Sequence, residues 1–78
     1  MIFKNVAWLD IDEEINIRKF GLDFSKAKEV IFNKSSLSIP NIHSDYCYIG
    51  ITEDLKDVLY VYCRSEDEFI RVTLVRSA

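Results

Sequence analysis

The chain has 78 residues and a formal net charge of −3, with 49% hydrophobic and 13% aromatic residues, two glycines and one proline. That is room for one domain, spanning 1–78, and too much apolar content for a disordered tail. The acidic balance argues against a general nucleic-acid binder, which needs clustered Lys and Arg to displace phosphate counterions, but leaves room for a local basic cleft.

No apolar run approaches the roughly 20 residues that cross a bilayer, and no basic-then-apolar leader precedes a small-residue cleavage site, so a soluble, unsecreted chain is expected. A domain this short buries only roughly 60% of its unfolded surface, so contacts with a partner add materially to its stability. Cys47 and Cys63 stand far apart in apolar, strand-like runs. With no CxxC and a single His in the chain, they read as buried free thiols rather than as metal ligands.

Ile2 to Trp8 is short, β-branched and aromatic enough for a first strand. Asp10 followed by Glu13 has the spacing of a capping box, and Asp12, Glu13 and Glu14 suit the positive end of a helix dipole, which predicts a helix from about Ile11. Its apolar positions Ile11, Ile15 and Phe20 run at roughly helical spacing. Arg18 and Lys19 fall in the last turn, and Gly21 supplies a left-handed stop. A second helix is expected from Leu22 and Asp23, with Asp23 as N-cap and Phe24, Ala27, Val30 and Ile31 as its apolar stripe.

Leu37 and Ile39 alternate with serines up to Pro40, the pattern of an edge strand, and Asn41 to Ser44 follow as a loop. Tyr46–Thr52, Val58–Arg64 and Phe69–Val75 are β-rich runs separated by turn-like segments, which predicts an antiparallel meander. A strand, two short helices and three or four hairpin-linked strands make an α+β fold with the helices packed on one side of the sheet.

The same order and punctuation resemble the BrnT family of RelE-like toxins. Those open with a strand ending in Trp-Asp, continue through a helix carrying Asn and then Lys-His-Gly, and enter a second helix on a hydrophobic-Ser-Phe pattern. In the stretch WLDIDEEINIRKFGLDFSKA, residues Trp8, Asn16, Lys19, Gly21, Phe24 and Ala27 keep that spacing. YCYIG, VLYVYC and IRVTLVR stand for the family's later strands, and Arg71 and Arg76 match its two arginines. The resemblance covers essentially the whole chain. It departs at Leu9, which intervenes after Trp8, at Phe20 in place of His, at Asp45 where an Arg is frequent, and at Leu74 in place of Ser. Family members usually carry a charged tail beyond the last strand, where this sequence ends at Ala78.

The resemblance implies a cytoplasmic, metal-independent ribonuclease toxin with no cofactor. Its RNA cleavage would inhibit translation and growth until a BrnA-like ribbon-helix-helix antitoxin neutralised it. DNA would be touched only through that antitoxin. It nominates Lys19, Arg71 and Arg76 as catalytic cations. Arg71 and Arg76 are five residues apart, so on a regular strand they point to opposite faces unless a bulge intervenes.

With Phe20 in place of His, a proton carrier has to be sought elsewhere. His43 either substitutes from its loop or is a solvated residue without a role. Tyr46, Tyr48, Tyr60 and Tyr62 offer phenols for proton transfer or stacking, against the plainer reading of sheet packing. Trp8 reads as core. Arg71 has an alternative as an ion-paired surface residue, and Lys19 is also explained by the helix dipole alone. Beside an active endonuclease, the sequence admits a toxin fold that has lost catalysis and binds a partner, or an unrelated small α+β interaction domain.

Overall fold

A computed structural model describes residues 5–41 and 44–78. The elements run β1 (Asn5–Trp8), α1 (Asp10–Phe20), α2 (Ala27–Phe32), β2 (Leu37–Asn41), β3 (Ser44–Ile51), β4 (Val58–Ser65) and β5 (Phe69–Ser77). Part of the expected first strand, from Ile2 to Lys4, lies outside the described residues. The strands form one sheet in the order β1-β5-β4-β3-β2. The meander is antiparallel as expected, and β1 joins its far side parallel to β5, in the register Asn5↔Phe69 to Trp8↔Val72.

The core lies between α2 and one sheet face. Phe24, Ala27, Val30 and Ile31, the stripe legible in the sequence, are buried against Leu59, Val61, Val72 and Val75. Trp8 joins them edge-on to Phe24, with ring centroids 5.8 Å apart and planes at 86°. Gly50 lets α2 and its following turn come close, since a Cβ there would run into the Ser36 side chain and lie 3.2 Å from Val30 Cγ1. The β2 edge tolerates Pro40 because an outermost strand has one side without ladder bonds.

Both helix starts differ from the sequence expectation. Leu9 caps α1 with its carbonyl, which accepts from the amides of Asp12 (3.1 Å) and Glu13 (3.2 Å), and Asp10 is already helical. Glu13 does not reach back to complete a box. Its carboxylate accepts instead from the partly buried Phe24 amide at 2.9 Å, a donor that burial would otherwise leave unmatched. Asp23 closes a local turn by accepting from the Ser25 amide (3.0 Å) and hydroxyl (2.6 Å), so α2 begins only at Ala27. Gly21 does end α1 in the left-handed region, φ 70°, with its amide donating to the Ile17 carbonyl at 2.8 Å.

The apolar stripe expected of α1 is also corrected. Ile11 (57% exposed), Ile15 and Phe20 face outward, and the buried residue of the helix is Asn16, 3% exposed. The reason is where α1 lies. β1 stops pairing with β5 at Val72, and α1 takes over the rest of that edge. The Asn16 carboxamide accepts from the Val75 amide (2.9 Å) and donates to the Val75 carbonyl (2.8 Å) and the Leu22 carbonyl (2.8 Å). A sheet edge presents donors and acceptors rather than apolar surface, so the helix meets it with an amide.

The β4–β5 pairing shifts register between Tyr62 and Cys63. Tyr62 faces Leu74 and Cys63 faces Val72, which leaves Thr73 as an extra residue whose hydroxyl donates to the Tyr62 carbonyl at 3.2 Å. This bulge puts both Val72 and Val75 into the core. It equally puts Arg71 and Arg76 on one face, opposite Arg64 and Tyr60.

Replacing Asn16 by Ala leaves both Val75 main-chain groups without partners. At about 1 kcal/mol per lost bond, destabilisation by about 2–3 kcal/mol is expected, read as a fall of roughly 10–20 °C in the thermal midpoint by circular dichroism. Asn16→Asp, which keeps the acceptor and removes both donors, should fall comparably.

Candidate functional site

On the sheet face away from α2, the end of α1 and the middle of β4 and β5 enclose a cleft of about 440 Å³. Phe20 forms one wall, Tyr62, Leu74 and Arg76 the floor, and Asn41 and Ser44 the far side. Phe20 reaches it because Asn16 anchors α1 to β5 one turn earlier. Tyr60 and Tyr62 reach this face because they alternate with the core residues Leu59, Val61 and Cys63 along β4.

Arg76 is held from two sides. Its Cζ sits 4.3 Å from the centroid of the Tyr60 ring, a cation–π contact. Its Nε and one Nη donate to the Tyr62 hydroxyl at 3.3 and 3.1 Å. The Tyr62 contact raises the proton affinity of the guanidinium above its ordinary value, adding to a charge that arginine keeps at any working pH. Its other N–H groups remain to bind an anion, in a bidentate geometry that suits phosphate.

The other two nominated cations are placed differently. Lys19 is exposed in the last turn of α1, one residue before Phe20. Arg71 is half-buried and meets two carboxylates, Glu66 at 3.0 Å and Asp12 at 3.6 Å. Five residues at a rise of about 3.3 Å per residue put it roughly 16 Å along β5 from Arg76, too far for both to grip one phosphate. His43 lies outside the described residues. Asp45, where an Arg was expected from the resemblance, accepts from the Ser65 amide at 2.6 Å and so serves the β3–β4 pairing.

Among the four tyrosines, Tyr48 packs against the core on the other face. Tyr60 and Tyr62, offered by the sequence only as two of four equivalent phenols, are the ones that meet Arg76. The signal was their alternation in VLYVYC, but pairing them with Arg76 required the bulge at Thr73, which nothing in the residue pattern announces.

Cys47 lies behind the cleft, buried on the Tyr62 side, with its thiol against the Tyr62 hydroxyl. Cys63 is buried on the core side. Burial pushes both thiols up, Cys63 to about 12, where Cys47 and Asp45 add to the effect. Among the described residues, no three His, Cys, Asp or Glu side chains come together as a metal-binding group, and no helix is long and apolar enough to cross a membrane.

No protein-family model matches the chain, and no curated protein matches it in sequence. Its fold is similar to that of the crystal structure of BrnT, a ribonuclease toxin of Brucella abortus, with a TM-score of 0.78 and 23% identity over 97% of each chain. At that identity the likeness is one of fold, and it matches the α+β architecture with two helices and five strands built above.

Buried thiols held in the neutral form should ignore a disulfide reagent in the folded chain at pH 8 and react, both of them, once urea is added. Because the folded thiols hold their protons more tightly than unfolded ones, they favour the fold below the ordinary thiol value near 9.0, and this contribution is lost as pH rises towards about 12. A urea midpoint that falls across that window in wild type, and falls less in Cys63→Ala, is the expected outcome.

Proposed function

We propose that the chain is an RNA endonuclease of the toxin–antitoxin kind, cutting RNA without a metal in the cleft around Arg76. The single observation that carries this is a permanently charged guanidinium, fixed by Tyr60 and Tyr62, lining a nucleotide-sized cleft in a fold that a ribonuclease toxin shares over 97% of both chains.

The chemistry is attack of a ribose 2′-OH on the adjacent phosphate. It needs cations around the phosphorane as charge builds, and preorganised donors supply most of such an effect because they need not reorient. Arg76 is preorganised in that sense. Lys19 at the end of α1 adds positive potential beside Phe20, and Arg71, farther along β5, engages a neighbouring phosphate of the strand. Phe20 offers an aromatic wall on which an unpaired base can stack. Exposed apolar side chains on α1, among them Ile11, Ile15 and Ile17, together with the thin stability margin of so small a domain, suit a protein partner. We assign that partner as a ribbon-helix-helix antitoxin of the BrnA type, the chain itself acting in the cytoplasm and meeting DNA only through it.

One observation favours a second reading. Phe20 occupies the cleft wall where the resemblance expects an imidazole. A chain that lost its proton carrier this way would keep the fold and serve as a partner-binding module.

Purified, partner-free chain incubated with single-stranded RNA in excess chelator separates the two. The endonuclease reading expects cleavage, lowered about 10²–10³-fold in Arg76→Ala and by less in Lys19→Ala and Arg71→Ala. An inert wild type with activity appearing in Phe20→His would instead establish the second reading.

A further inference from the structure

The chemistry proposed above lacks a proton donor at residue 20, and the cleft supplies one from β4. Arginine carries donors only, so in both contacts between Arg76 and Tyr62 the phenol oxygen is the acceptor, at 3.3 and 3.1 Å. The Tyr62 O–H therefore points away from the guanidinium. Tyr62 lines the cleft together with Phe20 and Leu74. Among the described residues the other group at the hydroxyl is the Cys47 thiol, and sulfur is too weak an acceptor to compete with a phosphoester oxygen. Tyr60, stacked beneath Arg76, fixes the guanidinium and with it the direction of the phenol.

We propose that Tyr62 is a catalytic residue of this cleft, the general acid that protonates the 5′-oxygen leaving group. The proposal rests on the ribonuclease reading. In the step it describes, the 2′-oxygen bonds to phosphorus as its proton passes to water. The P–O5′ bond breaks with its electron pair on O5′, and O5′ takes the phenol proton. The phenolate then recovers a proton from water. The products are a 2′,3′-cyclic phosphate and a 5′-hydroxyl, and Arg76 holds the phosphorane oxygens throughout. An arginine and a phenol locked together place cation and proton donor on the same phosphate, without the imidazole that Phe20 displaces.

A leaving-group substitution tests the role. At the bond that the wild type cuts fastest in a single-stranded RNA, the 5′-bridging oxygen is replaced by sulfur, a leaving group that departs without protonation. Tyr62→Phe keeps the ring and removes only the hydroxyl, and circular dichroism verifies its fold. The expected result is a loss of about 10²–10⁴-fold in Tyr62→Phe on the all-oxygen strand, the range of general acid catalysis, and a much smaller loss on the sulfur strand, where only the two bonds that the hydroxyl accepts from Arg76 are missed.

A variant as fast as wild type on the all-oxygen strand overturns the proposal while leaving the ribonuclease reading intact. A variant slowed equally on both strands also overturns it, and makes Tyr62 a positioning residue for Arg76. A wild-type chain inert on both strands overturns the ribonuclease reading and this proposal with it.

Discussion

The hydrogen bonds between the Asn16 carboxamide and the Val75 main chain fix where everything at the cleft stands. They replace a strand. β1 pairs with β5 no farther than Val72 and leaves the second half of the β5 edge without a neighbouring strand, and the amide reproduces the donor–acceptor pair that another strand would have offered. Because that pairing occurs at Val75, the end of α1 is held beside Arg76 and Phe20 becomes a wall of the cleft. A helix docked by its apolar stripe on the sheet face would bury Ile11 and Ile15 and carry Phe20 away from the arginine.

The second constraint is the bulge at Thr73. One extra residue lets Val72 and Val75 both pack under α2 while Arg71 and Arg76 share the opposite face. The two arginines then diverge in environment. Arg71 sits between Asp12 and Glu66, with its charge balanced by carboxylates. Among the described residues Arg76 meets phenol oxygen and aromatic rings, groups that orient it without neutralising it. An anion gains more from the second than from the first, which is why the proposed chemistry centres on Arg76.

Much of the fold was legible in the residues because it follows from periodicity. The Phe24, Ala27, Val30, Ile31 stripe, the Gly21 stop and the three meander strands all appear where spacing put them. What failed was chemistry that local pattern cannot carry. Asp10 and Glu13 had capping-box spacing, yet Glu13 went to the Phe24 amide, eleven residues on. Ile11 and Ile15 had helical spacing, yet the helix docks through Asn16, the polar residue that follows them. The site was legible only in part. Arg76 was nominated through the resemblance, while its partners Tyr60 and Tyr62 came from strand register, a long-range property that a bulge resets.

Cleavage around Arg76 requires that the cleft beside it receive single-stranded RNA. Amide chemical shifts of the isotopically labelled chain, followed while a 2′-O-methyl oligoribonucleotide that offers no nucleophile is added, test this most directly. The largest changes are expected on Phe20, Tyr62, Leu74 and Arg76. Changes gathered instead on the groove formed by Lys28, Phe32 and Asn33 at the end of α2, or no saturable change at all, would contradict it.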